Sequence, residues 1–221
     1  MVAAFAIDWT TGHEPQPAAA ATVYLRVRRH GRPVPVTAET LSIGFRATVI
    51  EHPGDIPGLL AVVDRALTRA RRHALIVAGH ALGADLARAL DLSQITLRGT
   101  TGVEAAWNSR TTRQRGVALM IDTSEEAHHT SIDLELPVDA EPVPLNSTGP
   151  GGLARTVLAR CLAIGLTAAV HAGRYQLVGD FPVAEAIDRA GWDILNYPRH
   201  AAYPPPQPQP VASPHTTPTA R

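Results

Sequence analysis

Two acidic residues stand where an apolar run ends, a position from which a strand can present a carboxylate to a site. Asp8 follows the run 2–7, and Asp122 follows the run 117–121. A carboxylate placed there can face a site without losing contact with water, and oxygen ligands of this kind suit hard divalent cations. An Asp that only caps the turn after a strand is the other interpretation, and both remain open for Asp8. For Asp122 the structural role is favoured.

A second pair of side chains that could take part in chemistry, His80 and Asp85, follows the run 74–78. This run is short and continuously apolar, as in a strand buried on both faces. A helix predicted from Asp55 precedes it, a tight turn over 79–83 follows it, and another helix begins at about Ala84. Helix, buried strand, turn and helix predict an open α/β sheet, in which sites form at the carboxyl ends of strands. His80 and Asp85 are therefore candidates for chemistry, although a lone His can also satisfy backbone groups in its turn.

The remaining pattern predicts the elements around these positions. Strands are expected over 2–7, 22–28, 41–50 and 117–121, the second of them half-exposed because its apolar residues alternate. Buried and amphipathic helices are expected over 152–172 and 183–192, with Gly173 ending the first. Residues 92–98 are read as a short strand or a helix continuation, and 100–116 and 124–150 as loop or irregular chain. The predicted architecture is a mixed sheet flanked by helices, followed by a disordered Pro-rich tail over 198–221.

Composition excludes several classes of protein. Acidic and basic residues balance at 20 each, so no overall field recruits nucleic acid or a membrane surface. Every basic residue is Arg, which favours codon bias in a GC-rich bacterial genome over selection for Arg chemistry. Cys161 is the only cysteine, which excludes an internal disulfide and a thiolate metal cluster. With no basic leader and no run near the ~18 apolar residues of a membrane span, a cytoplasmic location is expected.

The segment 77–90 resembles the nucleophile elbow of α/β-hydrolases. Gly79, His80, Leu82 and Gly83 match the G-H-S-L-G pattern, but Ala81 stands where the nucleophilic Ser belongs. No other hydroxyl lies in the turn, so acyl transfer has no attacking group. The resemblance covers about ten residues, and the run of βα units that a hydrolase fold requires is missing.

Residues 3–195 resemble the DEDD superfamily of 3′–5′ exonucleases, which have a ribonuclease-H-like sheet. Their first motif, D-x-E-T-T-G, is similar to Asp8-Trp9-Thr10-Thr11-Gly12, and their second, H-N-x-x-F-D, is similar to the segment from His80 to Asp85. Ile121-Asp122-Thr123 stands where the family has a strand ending in I-D-T. The order of a three-strand meander, a helix, a buried strand, a helix and a strand agrees as well. This is the better of the two resemblances.

The family resemblance implies a metal site. Its members hold two divalent ions with four carboxylates, and the ions activate water and stabilise the leaving oxygen in phosphodiester cleavage. Asp8 and Asp85 match two of these four ligands and are the expected catalytic and metal-binding residues, with Mg²⁺ or Mn²⁺ as cofactor. Thr10, Thr11 and His80 match positions expected to contact nucleic acid. The Glu of the first motif is absent, and Glu14 replaces it only if its loop folds back.

The late motif of the family, H-x-x-x-x-D or Y-x-x-x-D, is not visible in the predicted helix over 152–172. Residues 1–197 are therefore expected to form an exonuclease-like domain that has lost catalysis and needs no cofactor, binding a single-stranded nucleic-acid end or a protein partner but no membrane. An active metal-dependent 3′–5′ exonuclease is the alternative. An inactive α/β-hydrolase-like protein is the second alternative.

Overall fold

The computed structural model describes residues 1–110, 118–125 and 149–195. The elements in chain order are β1 (Val2–Trp9), β2 (Pro17–Leu25), β3 (Val34–Val36), β4 (Ile43–Val49), α1 (Ile56–His73), β5 (Ile76–Gly79), α2 (Leu82–Leu92), α3 (Arg98–Asn108), β6 (Leu119–Asp122), α4 (Pro150–His171), β7 (Tyr175–Leu177) and α5 (Val183–Leu195). The tail predicted over 198–221 and most of the segment 124–150, which was predicted to be irregular, lie outside the described residues, as do residues 111–117.

Five strands form one mixed sheet in the order β4-β2-β1-β5-β6. The first three are an antiparallel meander, and β5 and β6 continue the sheet parallel to β1. Parallel strands need a crossover connection, which α1 supplies between the meander and β5. The sequence-based expectation of a mixed α/β sheet flanked by helices is confirmed. The strand that ends near Asp8 pairs with the buried strand after α1.

Alternate residues of β1 enter two different cores because successive side chains of a strand point to opposite faces. Val2, Ala4 and Ala6 enter the core that α4 covers, to which α5 also contributes residues. Ala3, Phe5 and Ile7 pack against α1, α2 and α3. The sheet is therefore covered on both faces, and its central strand is buried along its whole length.

The helix α4 packs closely on the sheet because the residues beneath it are small. A methyl group at Gly165 would lie 3.2 Å from Ala4 Cβ and 3.2 Å from Leu25 Cδ1. The Cys161 thiol lies 3.2 Å from the carbonyl oxygen of Ala4, to which it donates. By length and hydropathy α4 could cross a membrane, contrary to the expectation from sequence, but 72% of its most apolar window is buried inside the protein. That burial is typical of a core helix.

Several boundaries differ from the sequence-based prediction. Residues 17–21 precede the strand predicted over 22–28 but belong to β2, which ends at Leu25 and is buried on both faces rather than half-exposed. Residues 100–108 were expected to be loop but belong to α3, which begins at Arg98. The segment 93–97 is neither strand nor helix. The short parallel pair β3 and β7 was not predicted.

The end of α4 follows the prediction. Gly173 adopts φ +63°, the left-handed conformation that glycine tolerates, and its N–H donates to the carbonyl of Val170. The Arg174 N–H donates to the carbonyl of Ala169, which completes the helix end and directs the chain into β7.

Candidate functional site

The carboxyl ends of β1, β5 and β6 lie side by side, and the candidate residues gather at this edge of the sheet. Ala4 pairs with Ala78, so β1 continues past β5 and carries Asp8 beyond it. Gly79 pairs with Asp122 at the end of β6. The turn into α2 then places Asp85 against the end of β1. We call the group formed by Asp8, Asp85 and their contacts the carboxylate edge.

Asp8 is buried and already paired with a cation. Its side chain is 3% exposed, and Oδ1 forms an ion pair with the Arg160 guanidinium on α4. Arg160 Nη2 also donates to the carbonyl of Ile7 at 2.8 Å, which fixes the guanidinium beneath the end of β1. Within the described residues Asp8 Oδ2 has no hydrogen-bond partner. Burial raises the pKa of Asp8 above its ordinary value, and the charge of Arg160 offsets part of that rise.

Asp85 is held by a tryptophan. Trp9 Nε1 donates to Asp85 Oδ1 at 2.7 Å, and the Arg88 guanidinium lies over the Trp9 ring at 4.7 Å from its centroid. Burial raises the pKa of Asp85 to about 6, although the Trp9 hydrogen bond and the charges of Arg160 and Arg88 act in the other direction. The charge of Asp8 adds to the rise. Asp8 and Asp85 therefore influence each other across one edge of the sheet, with Arg160 acting on both.

The turn between β5 and α2 is tight enough to exclude side chains at two positions. A methyl group at Gly79 would overlap the Leu82 side chain, and one at Gly83 would lie 2.8 Å from Trp107 Cδ1. Between them Ala81 adopts φ +51°, the left-handed region that non-glycine residues rarely occupy. The turn thus has the close strand-to-helix approach of an elbow, but the exposed Ala81 side chain offers no nucleophile.

Asp122 is a structural residue in this arrangement. Its carboxylate accepts hydrogen bonds from the Ala81 N–H at 2.9 Å and from the Ser124 Oγ at 2.7 Å, and Trp107 Nε1 lies 3.3 Å from Oδ2. Burial acts to raise the pKa of Asp122, but these hydrogen bonds outweigh it and leave the pKa lowered. The carboxylate therefore stays ionised and ties β6 to the strained residue of the turn.

His80 has a side-chain contact rather than only the backbone contacts expected of a turn histidine. Its Nδ1 lies 3.2 Å from Thr123 Oγ1, and Thr123 in turn donates to the carbonyl of Gly79. These contacts join the turn after β5 to the end of β6. They fix His80 at the carboxylate edge in a half-buried position.

The two threonines have different surroundings. Thr10 Oγ1 accepts the Gln16 N–H at 3.0 Å, so it closes the hairpin between β1 and β2. Thr11 is exposed in the turn of that hairpin, as is Glu14. In the described ranges no group of three His, Cys, Asp or Glu side chains is arranged to hold a metal ion.

The residue that sequence reasoning missed is Arg160. A signal for it was present, because α4 is apolar almost all round and a charged side chain on a buried helix needs an opposite charge. The partner could not be read from the sequence, since Asp8 lies at the other end of the chain. Trp9 and Arg88 were also missed, because a hydrogen bond or ring contact between separate elements leaves no local pattern.

The fold and the site define a mixed α/β protein with paired acids at the carboxyl end of its central strands. Comparisons of the chain with models of known protein families, with curated proteins and with solved structures found no match. The interpretation of the site therefore rests on the geometry and chemistry described above.

Proposed function

We propose that the chain is a ribonuclease-H-like, exonuclease-like domain that has lost metal-dependent catalysis and acts by binding a nucleic-acid end or a protein partner. The ion pair between Asp8 and Arg160 carries this proposal. Asp8 is the residue that resembles the first metal ligand of the DEDD exonucleases, and a guanidinium already neutralises it. A divalent ion would have to displace a buried cation, which leaves that cation unpaired at a substantial free-energy cost.

The arrangement of strands supports the same family of folds. A meander of β1, β2 and β4 is extended by the parallel strands β5 and β6, and the central β1 ends in the acid. The turn and helix after β5 bring Asp85 to the same edge, where the exonuclease resemblance expects a second acid. Trp9 occupies one oxygen of Asp85, so the second acid is also engaged without a metal.

An active 3′–5′ exonuclease is the second candidate, and one observation favours it. Asp8 and Asp85 lie at one edge and interact electrostatically, as ligands of a shared metal pair would. The sequence over 126–148, outside the described residues, contains five further acids. Any of these acids that reached the carboxylate edge would add the oxygen ligands that the described residues lack.

A nuclease assay with a metal-binding readout separates the two candidates. The full chain is incubated with Mg²⁺ or Mn²⁺ and with single-stranded DNA or RNA labelled at the 5′ end. Our proposal expects no shortening of the labelled strand from its 3′ end. It also expects the intact strand to bind the protein, which fluorescence anisotropy measures. Metal-dependent shortening that Asp8→Asn and Asp85→Asn both abolish would establish the active enzyme instead.

A variant of Arg160 tests the observation on which the proposal rests. Arg160→Gln removes the cation from Asp8, so Mn²⁺ should raise the melting temperature of this variant while leaving the wild-type protein unchanged. Asp8→Asn/Arg160→Gln is the matched control, since it lacks both the cation and the acid and should not respond to Mn²⁺. Equal stabilisation of the wild-type protein by Mn²⁺ would show that Arg160 does not take the place of a metal.

A further inference from the structure

A cleft lies at the opposite end of the sheet from the carboxylate edge. It has a volume of about 360 Å³ and is lined by Thr68, Arg71, Arg72, Arg98 and Gly99. These residues come from the last turns of α1 and the first turn of α3. The Leu75 N–H donates to the carbonyl of Met1, which places the end of α1 beside the start of β1. We call this feature the arginine cleft.

The positive charge of the arginine cleft is not balanced by the described part of the protein. Arg71, Arg72 and Arg98 are exposed, and none of them forms an ion pair with an acid in residues 1–110, 118–125 or 149–195. The neighbouring acid, Asp64, caps the first turn of α3: its Oδ1 accepts the Thr100 N–H at 2.8 Å and the Thr100 hydroxyl at 3.0 Å. Three arginines thus line one small volume without an acid paired to any of them among the described residues.

Arg98 stands at a position that its own helix disfavours. It is the first residue of α3, and no acid is present in the first turn. The N-terminus of a helix carries partial positive charge, so a cation there is destabilising and an anion is stabilising. Arg71 and Arg72 are different, since cations at the end of α1 complement that helix. The Asp64 carboxylate supplies an anion at this helix end, because it accepts the Thr100 N–H in the first turn of α3.

Two glycines shape the wall of the cleft. A methyl group at Gly102 would overlap the Arg71 guanidinium, and one at Gly99 would overlap the Asp64 carbonyl and the Thr68 hydroxyl. Neither glycine has a positive φ, so close approach, and not backbone conformation, is their role. Glycine within a helix costs about 1 kcal/mol relative to alanine. Because Gly102 has no side chain, the Arg71 guanidinium can pack against the surface of α3 near the N-terminus of this helix.

The geometry points to the arginine cleft as a binding site for the phosphate group of a small phosphomonoester. Guanidinium groups donate paired hydrogen bonds to phosphate oxygens, and three arginines line this cleft. The volume lies in the range of small-molecule sites and is suited to a molecule of roughly mononucleotide size. No aromatic side chain lines the cleft, so the phosphate, and not a stacked base, is the recognised group.

This site is independent of the proposed function, because it lies at the other end of β1. The eight residues of β1 span roughly 25 Å at ~3.3 Å per residue. A ligand in the arginine cleft therefore makes no contact with Asp8. Failure of nuclease or nucleic-acid binding assays would leave this inference unchanged, and the reverse also holds.

Calorimetric titration of the full chain tests the inference. Inorganic phosphate, ribose 5-phosphate, adenosine 5′-monophosphate and adenosine are titrated separately, and amide shifts of Arg98 and Gly99 are followed by NMR. We expect the three phosphate-bearing probes to bind with dissociation constants of roughly millimolar or below, to shift both amides, and adenosine not to bind. Arg98→Gln should weaken binding about tenfold, the loss expected for one charge-assisted contact. Gly102→Ala should weaken it by displacing Arg71.

Arg65→Gln is the matched control. Arg65 is an exposed arginine on α1 outside the cleft, so its loss changes the net charge equally and should leave affinity unchanged. Arg98 is exposed, so Arg98→Gln should fold normally, which its melting temperature checks. Absence of binding at roughly ten-millimolar probe would overturn the inference. So would equal affinity in the cleft variants and the wild-type protein. Binding of a single-stranded oligonucleotide but of no monophosphate would assign the arginines to a nucleic-acid backbone instead.

Discussion

At the scale of single residues, the carboxylate edge contains two acids with different neutralising partners. Asp8 is neutralised by the Arg160 guanidinium, whereas Asp85 receives a hydrogen bond from neutral Trp9 and lies further from a compensating charge. Burial consequently dominates at Asp85 and raises its pKa to about 6 from 3.8. The charged form of Asp85 is thus the less favoured state of the folded protein at acidic pH.

Asp85→Asn should stabilise the protein at neutral pH. A raised folded pKa means that the contribution of Asp85 is fully present below its ordinary pKa and is lost as pH rises through about 6. The Asn carbonyl still accepts from Trp9 but never ionises. We expect the variant and the wild-type protein to have nearly equal free energies of unfolding near pH 4, and the variant to be more stable by about 3 kcal/mol above pH 7.

Urea unfolding between pH 4 and pH 8 measures this difference. Asp91→Asn is the control, because Asp91 is an exposed acid on the same helix and its replacement changes the net charge equally. A variant that is less stable than the wild-type protein at neutral pH would show that the Asp85 charge is favourable and that its pKa is not raised.

At the scale of elements, the turn between β5 and α2 concentrates backbone strain at one residue. Ala81 has φ +51° because Gly79 and Gly83 bring β5, α2 and Trp107 into close contact and leave a single residue to reverse the chain. The left-handed conformation costs an alanine about 1 kcal/mol relative to glycine. The hydrogen bond from the Ala81 N–H to Asp122 holds the residue in that conformation.

Ala81→Gly should therefore stabilise the fold by up to about 1 kcal/mol, reduced by the greater freedom of glycine in the unfolded chain. Ala87→Gly is the matched control, since Ala87 is exposed in the same helix with ordinary backbone angles and should lose about 1 kcal/mol. Thermal unfolding of both variants measures whether each substitution raises or lowers the free energy of unfolding. Destabilisation by both substitutions would indicate that Ala81 carries no strain.

The elements that sequence reasoning identified are those with strong local signals. The run 74–78 and the apolar pattern of α1 and α4 led to helices and a strand within two residues of the observed ones, and the predicted start of α2 is equally close. Residues 17–21 were missed because a proline followed by alanines has low strand propensity, and here burial between β1 and β4 overrides it. The helix α3 was missed because Gly99 and Gly102 weaken its helical pattern. Contacts with α1 explain both glycines.

The residues of the candidate site also fall into two groups: those that a local sequence pattern predicted and those that it did not. The positions of Asp8, His80 and Asp85 at strand ends followed from apolar runs that stop at a polar residue. Arg160 could not be placed, because its pairing with Asp8 joins residues more than a hundred positions apart. A buried ion pair of this kind depends on how α4 lies across the sheet, which no local window of sequence contains.

At the scale of the whole molecule, the balanced charge of the chain conceals a separation of charges. The formal net charge is +0, yet Asp8, Asp85 and Asp122 gather at one end of the parallel strands while Arg71, Arg72 and Arg98 line a cleft at the other. The length of β1, roughly 25 Å, separates the two regions. The two regions should therefore behave as separate thermodynamic units.

Double-variant cycles test this separation. Asp8→Asn and Arg160→Gln remove the two halves of one buried pair, so their effects on the free energy of unfolding should couple by about 1–3 kcal/mol. Arg160→Gln alone should cost the most, roughly 3 kcal/mol, because it leaves the Asp8 carboxylate buried without a partner. Asp8→Asn and Arg98→Gln lie at opposite ends of β1, and their effects should add within about 0.5 kcal/mol. Strong coupling between these distant positions would mean that the sheet transmits changes from one end to the other.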